Sequence, residues 1–331
     1  MKQILFDRFG VPAHVAGCQN VAAPPAPKPW EVSVDILAAP VNPSDIAVLR
    51  GQYGMLPARL PATAGMEACG IVTATGSEVS GVAEGDRVLM IANDNWCQRR
   101  TLPALMVMPV PDALDSVAAS MVKVNSLSAY LMLRDGGDLQ PGDCLIQSAP
   151  LSAVGRMVIG MARAMGLQTV NIVRRPEAEA EIRALGGDFV LVDGDDLPAR
   201  VREATGNTPV MLGLDGVAGE QVMRLAGCLE DGAPLINYGM LSGQPCQILP
   251  SETIFRDIRL RGFWLAKLLN RMSAAQRVEA LRGCIELLLG HGLTNQIDRT
   301  YRLEQIADAI GRAESPDRHG KVVLLPNGEP A

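Results

Sequence analysis

Between residues 144 and 240 the chain alternates short apolar runs with helix-patterned segments, and this alternation limits the fold more than any other feature. The runs "CLIQSA" (144–149), "QTVNIVR" (168–174), "FVLVDG" (189–194), "VMLGLDGV" (210–217) and "PLINYGM" (234–240) read as buried strands. "SAVGRMVIGMARAMG" (152–166) reads as a helix, and "EAEAEIRALGG" (177–187) as a helix that ends at glycine. Strands and helices that alternate over short links build a parallel sheet from βαβ units. "IRLRGFWL" (258–265) is the expected last strand of that sheet.

The flanks have a different rhythm. "MKQILFDRFG" (1–10), "EVSVDILAAPV" (31–41), "GIVTATGSEV" (70–79) and "RVLMIA" (87–92) have strand composition, with turns such as "AEGD" between them. The turn "QPGD" (140–143) precedes the change of rhythm. The tail holds an expected helix at 273–290, another near 303–313, and a strand, "KVVLLP" (321–326). The fold class is therefore α/β: a β-rich domain with a doubly wound domain inserted in it. The expected boundaries are 1–121 with 267–331 for the first, and 122–266 for the second. A chain of 331 residues is long enough for two such cores.

Composition excludes several classes. Net charge is −6 and basic runs are short, which argues against nucleic acid as a partner. No apolar stretch reaches the ~18 residues needed to span a bilayer. The first residues read as a strand and lack the marks of a signal or transit peptide, so a cytoplasmic location is expected. The seven cysteines form no C-x-x-C pair, and the three histidines are scattered. A disulfide framework and a metal cluster are therefore not expected.

After the first parallel strand comes "SAPLSAVG". A dinucleotide-binding turn normally offers G-x-G-x-x-G. Here Gly155 remains, with Ser152 and Ala153 as small residues before it. Small residues let the backbone approach a pyrophosphate, and the helix that follows points free N–H groups at it. A plain strand–helix turn reads equally well from these residues alone. The second strand ends "NIVRRPE". An NAD site places a carboxylate there for the ribose 2′-hydroxyl. This chain places Arg174 and Arg175 there, and two guanidiniums suit a 2′-phosphate. The alternative is a solvated arginine pair.

A doubly wound domain inserted in a β-rich one is the layout of medium-chain dehydrogenases/reductases. The stretches "VNPSDIAVLRGQYGMLP", "NSLSAYLML", "QPGDCLIQSAPLSAVG", "NIVRRPE", "NYGM" and "IFRDIRLRGFWLAK" resemble the zinc-free trans-2-enoyl thioester reductases of that superfamily. The resemblance runs from about residue 41 to 326. It implies a GroES-like catalytic domain around a Rossmann domain, and NADPH as cofactor. It implies that Tyr53 is the catalytic proton donor and that Trp264, in a segment lining the site, is catalytic as well. It further implies cofactor contacts from Asn42, Asn125, Leu151, Ser152, Ala153, Val154, Gly155, Arg174, Arg175, Tyr238, Gly239, Met240, Phe263, Trp264, Leu265 and Lys321. Zinc relatives hold their metal through a Cys near "NPSD" and a His in a G-H-E motif. This chain has Asn42 and Met66 in those two segments, so no metal is expected. The chain departs from the family at Asn125-Ser126-Leu127-Ser128-Ala129-Tyr130, at Ala153 in the turn, and over "NDNWCQRR" (93–100).

The implied reaction is reduction of the C2–C3 double bond of a 2-enoyl thioester, free or on a carrier. A phenol, with a reference pKa of about 10, stays protonated at neutral pH and can donate. A zinc-free quinone or enone reductase fits the same residues. So does, from another class, an NADPH-binding regulatory or scaffold protein without turnover. An acyl thioester substrate would call for basic residues at its entry, and Arg99, Arg100 and Lys267 are the candidates. "DIRLRGFWL" is apolar enough to be an edge strand, from which a homodimer is expected.

Overall fold

The computed structural model describes residues 1–328. Two compact units divide the chain: residues 1–124 with 294 to the C-terminal end, and residues 125–293. The expected end of the first domain at 331 lies outside the described residues. The second junction falls after Leu293 rather than at 267. Helix Ala274–Gly290 packs on helices Leu127–Asp135 and Ala153–Ala164, so it belongs to the parallel-sheet unit. Glycines permit the approach. A Cβ on Gly283 would lie 2.5 Å from the Tyr130 hydroxyl, and one on Gly160 2.7 Å from Leu293.

The chain opens with seven strands: β1 (Lys2–Leu5), β2 (Gly17–Asn20), β3 (Glu31–Pro40), β4 (Cys69–Thr75), β5 (Arg87–Met90), β6 (Arg99–Pro103) and β7 (Val107–Pro109). Six more follow in the second unit: β8 (Cys144–Ser148), β9 (Gln168–Val173), β10 (Phe189–Val192), β11 (Val210–Asp215), β12 (Pro234–Asn237) and β13 (Arg259–Gly262). β14 (Ile297–Tyr301) and β15 (Lys321–Leu324) return to the first unit.

In the first unit, β14-β15-β3-β4-β5-β7 form one sheet, and β6 also pairs with β3. β3 is its spine, antiparallel to β4, β6 and β15. Val32, Val34, Ile36, Ala39 and Val41 are fully buried, and they join Phe6, Leu49, Trp96 and Leu324 in one core.

In the second unit all pairs are parallel, in the order β10-β9-β8-β11-β12-β13. Chain order reverses between β8 and β11, which is the doubly wound arrangement. Ligands of such sheets bind beyond the carboxyl ends of the strands at that switch point. β8 is buried along its whole length, as a central parallel strand is. Among the described residues no helix is long and apolar enough to cross a membrane.

Candidate functional site

The carboxyl end of the parallel sheet gathers the cofactor candidates of the second unit except Asn125, which is buried in the helical turn Val122–Ser126. Leu151, Ser152, Ala153, Val154 and Gly155 follow β8, and Arg174 and Arg175 follow β9. Tyr238, Gly239 and Met240 follow β12; Phe263, Trp264 and Leu265 follow β13. Ser152 caps helix Ala153–Ala164, its hydroxyl accepting from the Gly155 N–H at 3.1 Å. The turn into that helix is tight. Ala149 has φ +47°, and a Cβ on Gly155 would stand 2.5 Å from the Ala149 carbonyl oxygen. Gly155 therefore keeps the turn closed while the helix presents its first N–H groups, a cradle suited to a pyrophosphate. Arg174 and Arg175 are exposed, and neither forms an ion pair among the described residues. The residues present thus fit a phosphorylated dinucleotide.

A buried polar network that sequence reasoning missed braces this end of the sheet. The Asp215 carboxylate, at the end of β11, accepts from the Ser148 hydroxyl and from Asn237 Nδ2, both at 2.8 Å. It also accepts from the backbone N–H of Val217 and Ala218. Asn237 Nδ2 reaches the Gly239 carbonyl at 2.8 Å, so the 238–240 loop is tied to β8 and β11. Tyr238 is packed over Gly216, where a Cβ would lie 3.0 Å from its hydroxyl. Burial raises the pKa of that phenol, against the opposing influence of Ser152. Met240 and Trp264 stand exposed.

In the first unit, Tyr53 lies just beyond helix Pro43–Leu49. Gly51 turns the chain at φ +72°, against the Phe9 ring, and Gln52 N–H bonds the Ala47 carbonyl at 2.8 Å. Tyr53 is half-buried and its ring packs on the core of this unit.

The start of the same helix holds what the sequence least revealed. Asp45, Glu67, Lys123 and Lys321 are all buried, around Asn42. Glu67 Oε1 accepts from Asn42 Nδ2 at 2.9 Å, and Oε2 accepts from the Val124 N–H at 2.6 Å. Asp45 accepts from the N–H groups of Asn42, Gly65 and Met66. Lys321 donates to the Val41 carbonyl at 3.1 Å and to Asn42 Oδ1. Lys123 donates to the Met66 carbonyl at 2.6 Å and to Asn93 Oδ1 at 3.0 Å. Burial pushes Asp45 up to about 6 and Glu67 up to about 7, against their hydrogen bonds and the lysines. It pushes Lys123 and Lys321 down to about 8, with Glu67 the largest opposing influence on each. Two acids and two lysines are thus buried together in one cluster. Lys321, implied by resemblance to lie near the cofactor, spends its ammonium on Val41 and Asn42.

The atypical 93–100 segment is part of this brace. Trp96 is fully buried and Asn95 Nδ2 bonds the Gly65 carbonyl at 3.0 Å. Gly65, at φ +108°, lies so close that a Cβ would sit 2.7 Å from the Trp96 backbone nitrogen. Arg99 pairs in two bonds with Asp35, and Arg100 donates to the Asn93 and Asp94 carbonyls. Both arginines are thus engaged within β3, β6 and the loop before β6. Of the three basic candidates for substrate entry, only Lys267 is exposed and without an ion pair among the described residues. No group of three or more His, Cys, Asp and Glu among the described residues could hold a metal ion. Cys69, Cys97, Cys144, Cys228 and Cys284 are buried thiols pushed up to about 12 by burial, which leaves them poor nucleophiles.

Comparison with known proteins follows the same division. Residues 28–111 match the family described as "Alcohol dehydrogenase GroES-like domain", and residues 153–281 the one described as "Zinc-binding dehydrogenase". The chain is 36% identical over 332 residues to the mitochondrial enoyl-[acyl-carrier-protein] reductase of Mus musculus, covering 98% of this chain and 88% of that protein. Its fold matches a putative NADPH:quinone reductase from Bacillus thuringiensis with a TM-score of 0.90 at 27% identity, over 98% of both chains. It also matches a mutant form of enoyl thioester reductase from Candida tropicalis with a TM-score of 0.87 over 98% of this chain and 99% of that one. At 22% identity this last likeness speaks for the fold alone.

Proposed function

We infer the reaction from one premise: this chain belongs to the family of enoyl-[acyl-carrier-protein] reductases, oxidoreductases of the medium-chain dehydrogenase/reductase fold. We propose that it reduces the C2–C3 double bond of a 2-enoyl thioester with NADPH. The bound cofactor supplies a hydride for the β-carbon. The turn at 151–155 would bind the pyrophosphate, and Arg174 and Arg175 the 2′-phosphate. Negative charge then collects on the thioester oxygen as an enolate, and the α-carbon needs a proton. Tyr53 would stabilise that oxygen and deliver the proton, for which a neutral phenol is suited. Conjugation spreads the charge, so the step needs no metal ion.

The observation that supports this reading most is the 36% identity to an enoyl reductase along nearly the whole chain. The likeness to a putative NADPH:quinone reductase supports a second reading, reduction of a quinone or small enone. One experiment separates them. NADPH oxidation is followed with crotonyl, medium-chain and branched enoyl thioesters beside simple quinones. Thioester turnover at a higher kcat/KM supports the first reading, and quinone preference the second. Binding of NADPH with no turnover of either would favour a regulatory or scaffold role.

Metal independence is part of the proposal. Activity should be unchanged after chelator treatment, and elemental analysis should find no stoichiometric zinc. Activity that dies with chelator and returns with zinc would overturn it.

A homodimer is proposed as well. β13 is the outer strand of the parallel sheet, and Ile254 and Phe255, just before it, are 69% and 80% exposed. An open edge beside apolar side chains tends to be paired, and a twofold axis pairs it with itself. Light scattering at micromolar concentration should give twice the chain mass; a monomeric mass removes the idea. A cytoplasmic location remains the expectation, although the relatives are named mitochondrial. Imaging of the tagged chain decides between the two compartments.

A further inference from the structure

We propose that Glu67 is a positioning residue of the reduction, whose two carboxylate oxygens lock the Asn42 side chain and the Val124 backbone into one frame. The inference rests on the reading above, with Tyr53 at the substrate oxygen, and on the resemblance, which implies cofactor contacts from Asn42 and Asn125.

The geometry is specific. Both Glu67 oxygens accept from N–H donors, Asn42 Nδ2 at 2.9 Å and Val124 N at 2.6 Å. Val124 directly precedes Asn125 in the irregular helical turn Val122–Ser126. Asn42 caps helix Pro43–Leu49, whose far end leads through Gly51 to Tyr53. One side chain therefore sets the register of two segments that are far apart in sequence. A carboxylate suits the task because it is acceptor-only, and it faces two donors.

The surrounding groups oppose the effect of burial on this carboxyl. Lys321 on β15 and Lys123 on the 122–126 turn face it, and Asp45 on the 43–49 helix acts on both lysines. Asp94 acts on Lys123, and Arg318 on Lys321. The two ammoniums also hold the frame at the Met66 carbonyl and at Asn42 Oδ1.

The hydrogen-bond pattern supplies a discriminating test. Glu67→Gln offers one acceptor and one N–H₂ group to two donors, so one bond must become a donor–donor conflict. It also removes one of the two buried negative charges. The double variant Asn42→Asp with Glu67→Gln reverses the pair. The amide introduced at position 67 would then donate to the carboxylate introduced at position 42, and its carbonyl oxygen would accept from the Val124 N–H. The new carboxylate would also accept from Lys321. The bonds to Val124 and Lys321 and the one between positions 42 and 67 are restored, and so is the number of buried carboxyl groups.

NADPH affinity is read by fluorescence, which needs no turnover. Crotonyl thioester kcat and melting temperature are read alongside. The single variant should weaken NADPH binding and lower kcat, each about tenfold or more, the loss expected of one bond to a charged group. The double variant should recover both to within about threefold, by the same accounting. A single variant that binds and turns over within twofold of wild type overturns the proposal. So does a double variant no better than the single one, since loss would then follow chemistry other than the directed bonds. If the single variant does not fold, the double variant alone decides: restored folding and binding support the frame, and failure overturns it. If wild type binds NADPH but reduces no enoyl thioester, the reading above fails, while the affinity comparison still judges Glu67.

Discussion

Tyr53→Phe should leave NADPH binding in place and slow turnover of an enoyl thioester about 10²–10³-fold, the value of a preorganised oxyanion donor. The substitution removes one hydroxyl and almost no volume. The ring that packs on the core of its unit is retained, and the Gly51 turn that sets its place is untouched. Folding should therefore be unaffected, and melting temperature checks it. The residues proposed to contact the cofactor phosphates follow β8 and β9 in the other unit, so affinity for NADPH should survive. The loss should fall on kcat and kcat/KM alike, because the bond is made only as charge develops on the oxygen. A smaller loss would mean that water supplies the proton and the phenol only orients substrate. A variant with the wild-type rate and the wild-type solvent isotope effect on a crotonyl thioester would reduce Tyr53 to packing.

Local pattern made the parallel-sheet unit legible. Its inner strands β8 and β11 are largely buried runs, as parallel strands covered on both faces are, and each expected strand from 144 to 262 is present within a few residues. The turn at Gly155 and the arginines at 174–175 were legible for the same reason, since their meaning depends on position relative to those strands. The junction at 293 was not. Whether helix Ala274–Gly290 sides with one unit or the other depends on the glycines it meets, Gly160 near Leu293 and Gly283 against Tyr130. Such contacts between distant segments leave no periodicity. The charge cluster escaped for a related reason. No local pattern joins Asp45, Glu67, Lys123 and Lys321, because ionised groups are buried only with partners and these partners are far apart in sequence. The signal available was modest: "NPSD" and "GME" each end in an acid beside apolar residues. Arg99 and Arg100, candidates for substrate entry from their charge alone, are engaged by Asp35 and by the Asn93 and Asp94 carbonyls.

Replacing Arg174 and Arg175 together with alanine should weaken NADPH binding about 100-fold and leave NADH nearly unchanged. Two charge-assisted bonds to a phosphate are worth about 1.5–3 kcal/mol each when formed, and solvent exposure trims that sum. Both side chains are exposed and unpaired with any acid among the described residues, so the substitution breaks no ion pair of the fold. Stability should move by no more than about 0.5 kcal/mol, as for most surface changes. No carboxylate takes their place at the end of β9. The next acid in sequence, Glu177, is exposed in the short turn Pro176–Ala178. The variant should therefore lose NADPH without gaining NADH. Ionic strength supplies a second readout. Raising salt shortens the screening length below about 10 Å and should weaken NADPH binding to the wild type, while the variant, lacking both charges, should respond much less. Equal preference of the wild type for the two cofactors would defeat the assignment of these arginines. An unchanged NADPH requirement in the double variant would defeat it as well.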